Sequence, residues 1–169
     1  MFNNIRADLH AHGGQWGAQG FWALTVYRFG RWRSGVRPVL LRKMASLIYR
    51  VLYKLVQILT GIELPCEALI GRNFVIDHSG GIVISGFARF GDNCRIRNGV
   101  VVGLSRTDIP CAPTIGNNVD IGAGAKLLGA ITIGDNVLIG ANAVVVRDVP
   151  ADSIAIGVPA IVRPRKPHS

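Results

Sequence analysis

From Ile70 onward, aliphatic and aromatic residues recur every six positions. Ile70, Ile76 and Ile82 are followed, after a slip of two residues, by Phe90, Ile96 and Val102; after a longer interruption come Ile115, Ile121, Leu127, Ile133, Ile139 and Val145. A helix repeats near 3.6 and a half-buried strand near 2, so neither explains a period of six. Three short strands per turn, each followed by a tight corner, do explain it, and the chain then winds as a parallel β-helix. Each apolar residue points into a narrow prism and stacks on its counterparts about eighteen residues away. Small or β-branched residues four positions further on (Val119, Ala125, Ile131, Val137, Ala143) suit the narrow interior. Corners such as Gly116-Asn117-Asn118 and Gly134-Asp135-Asn136 supply residues that tolerate left-handed backbone angles. The 21 glycines of 169 residues follow no collagen-like spacing. The stretch 104–114, LSRTDIPCAPT, breaks the period and is expected to protrude as a loop that could wall a site.

The first 60 residues have a different character. They carry nine Lys/Arg and a single acid, Asp8, whereas residues 61–169 are nearly balanced. Charge alone would admit a nucleic-acid binder, but no recognition motif accompanies it, and no nucleic-acid partner is expected. Residues 1–20 lack a basic stretch followed by an apolar run, so no secretory signal is read. Segment 39–60, VLLRKMASLIYRVLYKLVQILT, is long enough to raise the question of a membrane span, but Arg42, Lys43, Arg50 and Lys54 oppose burial in lipid. Its polar residues recur every three to four positions as one stripe on an otherwise apolar helix. Packing within an oligomer is the first reading and peripheral contact with a membrane the second.

Cys66, Cys94 and Cys111 form no metal-ligand spacing, so no metal and no disulfide framework are expected, in keeping with a cytoplasmic protein. His78 stands in VIDHSGGIVISG, an apolar stretch with an aspartate before it and glycines after it. It is either a general base or a corner histidine bonded to backbone. His10 and His12 read as solvated.

The chain resembles the left-handed β-helix acyltransferases and, more narrowly, the serine acetyltransferase family. GFWALTVYRFGRW (20–32) is similar to that family's helical segment, IGRNFVIDHSGGIVI (70–84) to its active-site coil, IGAGAKLLGAITIGDNVLIGANAVV (121–145) to its acetyl-CoA-binding coils, and AIGVPAIV (155–162) to its closing segment. The resemblance implies a helical region at 1–60, a left-handed β-helix acetyltransferase domain at 61–162 with the 104–114 insertion, and a basic tail at 163–169. It implies His78 as general base, Glu63 as the carboxylate that orients it, and Asp77 as a substrate contact. A neutral imidazole suits removal of a hydroxyl proton during attack on a thioester, and a carboxylate on its other nitrogen fixes the tautomer. The amide of Gly103 is implied as a donor to the developing oxyanion. Acetyl-CoA is implied as co-substrate, in a groove between subunits of a homotrimer. The backbone of Ala123, Gly124, Ala125, Gly140 and Ala141 would lie along its pantetheine arm, with Lys126 and the tail that begins at Arg163 near its phosphates.

Two departures bear on the acceptor. The family's Arg-His pair before a PKIG-like stretch is replaced by Cys111-Ala112 in CAPTIG (111–116), and its N-terminal Asp-Pro pair has no counterpart in HGGQWGAQG (12–20). Loss of a guanidinium on a carboxylate removes a charge-assisted hydrogen bond of about 1.5–3 kcal/mol. L-serine is the first expected acceptor; a sugar hydroxyl of an exopolysaccharide or lipid-linked intermediate is the second, and a non-catalytic assembly module is a distant third. The short helical region suggests a trimer rather than a hexamer, and the short tail suggests no complex with a sulfhydrylase.

Overall fold

The computed structural model describes residues 2–106, 108 and 110–165, and consists of three helices followed by a three-sided parallel solenoid. The helices are α1 (Phe2–Ala11), α2 (Gln19–Arg33) and α3 (Val39–Thr60). The first face of the solenoid stacks β1 (Ile62–Glu63), β4 (Ile82–Ile84), β7 (Val101–Gly103), β10 (Lys126–Leu128) and β13 (Val144–Val145). The second stacks β2 (Leu69–Ile70), β5 (Arg89–Phe90), β8 (Thr114–Ile115) and β11 (Thr132–Ile133). The third stacks β3 (Val75–Asp77), β6 (Arg95–Arg97), β9 (Asp120–Ile121), β12 (Leu138–Ile139) and β14 (Ser153–Ile156), and ends in β15 (Ile161–Pro164). This is the expected left-handed β-helix behind a helical region.

The period of six becomes a column of side chains on each face. Ile76, Ile96, Ile121, Ile139 and Ala155 stand in register on the third face, all buried. Ile70, Phe90, Ile115 and Ile133 do the same on the second. Each fully buried aliphatic stabilises the fold by roughly 1.5–3 kcal/mol relative to exposure. The corner between the second and third faces is held by a ladder of side-chain amides. Asn73, Asn93, Asn118, Asn136 and Asp152 all have positive φ, and each asparagine donates to the residue one coil further on at 2.9–3.0 Å. Asparagine tolerates this conformation, and its amide can both give and accept.

The register corrects the position of the two-residue slip. Ile84, not Ile82, pairs with Val102, while Asp77 remains level with Arg97. The extra residues therefore lie between Asp77 and Ile82. The Gly99 amide bonds the Gly80 carbonyl and the Gly124 amide bonds the Asn98 carbonyl, so Gly80 is level with Asn98. His78 and Ser79 are the inserted pair. The alternation of Ile82, Val83 and Ile84 made two registers look alike in sequence, since Ile82 and Ile84 both point inward.

Two boundaries also shift. Thr114 belongs to β8, so the interruption of the period ends at Pro113. Arg163 and Pro164 are not part of a free tail: they end β15, which pairs antiparallel with β14 because the last coil has no further parallel strand to complete it. Residues 166–169 lie outside the described residues.

The helical region closes the open edge of the first coil. The Tyr27 hydroxyl donates to the Ala68 carbonyl and accepts from the Ile70 amide. Arg28 donates to the carbonyls of Ile70 and Gly71 and to both carboxylate oxygens of Asp8, at 2.9 and 3.2 Å. Arg28 and Asp8 are 6% and 1% exposed, so the pair is buried. Gly20 allows α2 to approach: a Cβ there would stand 2.3 Å from the Ile76 carbonyl oxygen. At the other end, α3 stops at Gly61, in a left-handed cap whose amide bonds the Gln57 carbonyl.

Two outcomes are expected. Arg28→Leu strands Asp8 in the interior and should destabilise the protein by about 3–5 kcal/mol; an unchanged urea midpoint at fixed protomer concentration would show that Tyr27 alone secures the edge. Deleting His78 and Ser79 together should restore the regular coil and leave the far-UV circular dichroism spectrum and melting temperature close to those of the parent; loss of folding would mean that this corner needs its extra residues.

Candidate active site

The insertion pushes His78 out of the corner. Its backbone has φ of 60°, a left-handed conformation uncommon for a histidine, and its side chain is exposed. It opens onto a cleft of about 650 Å³ whose solenoid wall is Ile76, Asp77, His78, Ser79 and Arg95. The opposite wall comes from the segment between α1 and α2 and the start of α2, including His12, Gly13, Gln15, Gln19 and Gly20. The HGGQWGAQG stretch thus faces His78 within one chain.

Asp77 is held by Arg95 at 2.6 Å from the neighbouring coil, through Oδ2. On the same strand, Arg97 donates to Asp120 of the following coil, a hydrogen bond that stabilises its protonated form and raises its pKa. The Arg95 pairing leaves Oδ1 of Asp77 without a hydrogen bond among the described residues. Glu63 lies on β1, level with Val83, and no hydrogen bond joins it to His78 among the described residues. Its carboxylate is near Tyr53, whose hydroxyl is pushed above its usual range by burial and then by the charges of Glu63 and Glu67.

His12 departs from the solvated expectation. It is half-buried, its Nδ1 lies 2.7 Å from the Asp8 carbonyl, and its Nε2 lies 3.2 Å from the Ile76 amide. The amide can only donate, so Nε2 accepts and Nδ1 carries the hydrogen; the ring is the neutral tautomer. His10 is exposed, as expected.

The corner that carries His78 continues down the solenoid as a ridge of small residues. Ala123 and Ala141 are level with each other there, and neither amide donates a hydrogen bond among the described residues. At a coil spacing of about 4.8 Å, they stand roughly 10 and 14 Å below the His78 corner. Gly103 ends β7 with nothing within 4 Å of where a side chain would stand. These positions can accept an extended, amide-rich ligand. Others in the expected set have different tasks. Ala125 is fully buried, with its amide on Gly122 and its carbonyl on Val101; Gly140 likewise spends its amide on Ala155 and its carbonyl on Ala143. Both are scaffold, not pairing groups. The Gly124 amide is bonded to Asn98, which leaves its carbonyl. The Lys126 ammonium donates to the Gly99 carbonyl at 2.5 Å, while Arg163 is exposed on β15.

None of the described residues of 104–113 lines the cleft within the chain. Cys111 is half-buried in that segment, and burial pushes the Cys94 thiol up to about 11. No group of three His, Cys, Asp or Glu side chains among the described residues is placed to hold a metal ion.

Comparison with known proteins gives the family of the chain. Residues 112–147 match the family described as bacterial transferase hexapeptide (six repeats). The chain is 42% identical over 142 residues to the serine acetyltransferase of Helicobacter pylori strain J99, covering 83% of this chain and 79% of that protein. It is 42% identical over 144 residues to the serine acetyltransferase of Synechococcus elongatus, but spans only 56% of that longer relative. Among solved structures, Brucella abortus serine acetyltransferase in complex with coenzyme A superposes with a TM-score of 0.83 at 26% identity, over 99% of this chain and 69% of that one. The Neisseria gonorrhoeae serine acetyltransferase in complex with serine gives 0.80 at 30%, over 96% and 68%. With its repeat, its ridge of open amides and its His78 corner, the chain belongs to the serine acetyltransferase family of hexapeptide transferases.

Proposed function

We propose that the protein is an acetyl-CoA-dependent O-acetyltransferase that acts on the hydroxyl of L-serine, with His78 as general base. Relatives named serine acetyltransferase, one of known structure with coenzyme A and one with serine, support this reading. The observation that carries it is the corner itself. Two residues added to an otherwise regular coil project a single imidazole beside an ion-paired carboxylate, above a ridge of unused amides.

In this mechanism neutral His78 takes the proton of the acceptor hydroxyl as its oxygen attacks the thioester carbon. The same imidazole returns the proton to the departing thiolate, so His78 ends as it began. Glu63 orients the ring through its other nitrogen. Asp77, fixed by Arg95, offers its free Oδ1 to the acceptor. The flank of Gly103 is open, with its amide held in the β7–β10 ladder, and admits the carbonyl oxygen as charge develops on it. Acetyl-CoA lies along the ridge, with Ala123 and Ala141 donating to its pantetheine arm and the open flank of Gly124 alongside. Arg163 and a released Lys126 lie towards its phosphates. Three copies packed side by side, each ridge against a neighbour, complete the site.

One observation favours a sugar hydroxyl as the acceptor instead. The guanidinium lining the cleft, Arg95, is already paired with Asp77, and the facing wall offers Gln15 and Gln19, which suit hydroxyl groups. Thiol release from acetyl-CoA, measured with L-serine and with a panel of sugars, separates the two. Serine-dependent release is expected, reduced by about 10²–10⁴ in His78→Ala with coenzyme A affinity nearly unchanged. The His78/Ser79 deletion should retain coenzyme A binding and show no turnover. Release triggered by sugars alone would overturn the serine assignment, and full activity in His78→Ala would overturn the mechanism.

A further inference from the structure

α3 packs on the body of the protein through Tyr49, Tyr53, Val56 and Thr60 and leaves its opposite side uncovered. Leu40, Met44, Leu47, Val51, Leu55 and Ile58 recur at spacings of three and four and form an exposed stripe; Leu40 and Ile58 are each 71% exposed. Five more exposed apolar side chains of α3 flank it. The helix is not long and apolar enough to cross a membrane.

Cations border this stripe. Lys43, Arg50 and Lys54 run along one flank of α3, and no acid occurs between Asp8 and Glu63. At the N-terminal end, Arg33, Arg42, Lys43 and Arg50 converge with Ser34 and Ser46 on a cleft of about 540 Å³ between α2 and α3. Arg33 is held there by Ser46 and by the Tyr49 ring, 4.6 Å away, and its buried Nε has no hydrogen-bond partner. An apolar stripe, a cationic flank and a cationic cleft on one surface have a common complement.

We propose that α3 docks the protein on an anionic lipid bilayer, lying in the plane of the interface. The stripe enters the acyl boundary, and the α2–α3 cleft takes lipid phosphate. A second copy of the chain fits this surface less well. Two such faces brought together would set cations against cations, with no acid on either helix to compensate. The C-terminal cap of α3 also stands against the reactive corner, because a Cβ on Gly61 would lie 3.2 Å from Gly80 Cα. A docked helix therefore ends on the corner that carries His78. The docking surface is separate from the His78 cleft, so this inference stands or falls independently of the acyl-transfer reading.

Flotation of the full chain with vesicles tests it, using phosphatidylcholine with and without phosphatidylglycerol. Flotation is expected only with phosphatidylglycerol present, and should weaken as salt rises. Lys43→Gln/Arg50→Gln should bind about thirtyfold more weakly. Val51→Gln/Leu55→Gln, at exposed positions, should bind at least roughly tenfold more weakly while keeping turnover on a soluble acceptor. Inorganic phosphate in excess over lipid should not release the wild-type protein. The proposal is overturned if the wild-type protein fails to float at low salt, if Val51→Gln/Leu55→Gln binds unchanged, or if that variant instead lowers the mass of the assembly by light scattering, which would assign the face to a second copy.

Discussion

The first coil of a parallel solenoid has no strand before it, and its outward amides and carbonyls must find partners elsewhere. Here side chains of the helical region supply them. Tyr27 and Arg28 satisfy the edge of β2, and His12 satisfies the Ile76 amide of β3. Arg28 can be buried only because Asp8 meets it, so α1 is needed as well as α2. The same contacts hold the segment between α1 and α2 against Ile76 and Asp77. Closure of the edge and shaping of the cleft are thus a single piece of packing, and the helical region belongs to the site as much as to the fold.

Much of this was legible in the chain. A period of six has few physical solutions, and the corner asparagines and glycines agree with it. What periodicity could not resolve was register. Ile82 and Ile84 have the same side-chain chemistry and the same inward direction, so only the pairing of Ile84 with Val102 locates the inserted residues at His78 and Ser79. Nor does residue type reveal whether a backbone group is already spent. Ala123 and Ala125 read alike in GAGAK, yet one leaves its amide open and the other is bonded on both sides and buried. The role of His12 depends on contact with Ile76, 64 residues away, which no local pattern signals.

The ridges of the prism have divided their labour. On one, asparagine amides bond to one another from coil to coil, and the corner is complete in itself. On the ridge that begins with His78, the left-handed places are held by Gly99, Gly124 and Asn142, and the amides of Ala123 and Ala141 are left without a partner among the described residues. Small residues there keep the surface low enough for a ligand to reach the main chain. Side-chain hydrogen bonds are concentrated along one ridge and unpaired backbone amides along another, so substitutions on the asparagine ladder and on the alanine ridge should differ in kind.

β15 runs against the direction of every other strand in the solenoid. Each preceding coil is a template on which the next can form, and an exposed final coil would offer the same template to another molecule. The reversed strand presents a hydrogen-bonding pattern that a parallel coil cannot continue. Pro164 lacks an amide hydrogen, and Arg165 folds back onto the carbonyls of Asn136 and Asp152. On the third face, the reversed strand thereby denies another molecule the parallel template that each earlier coil offers the next.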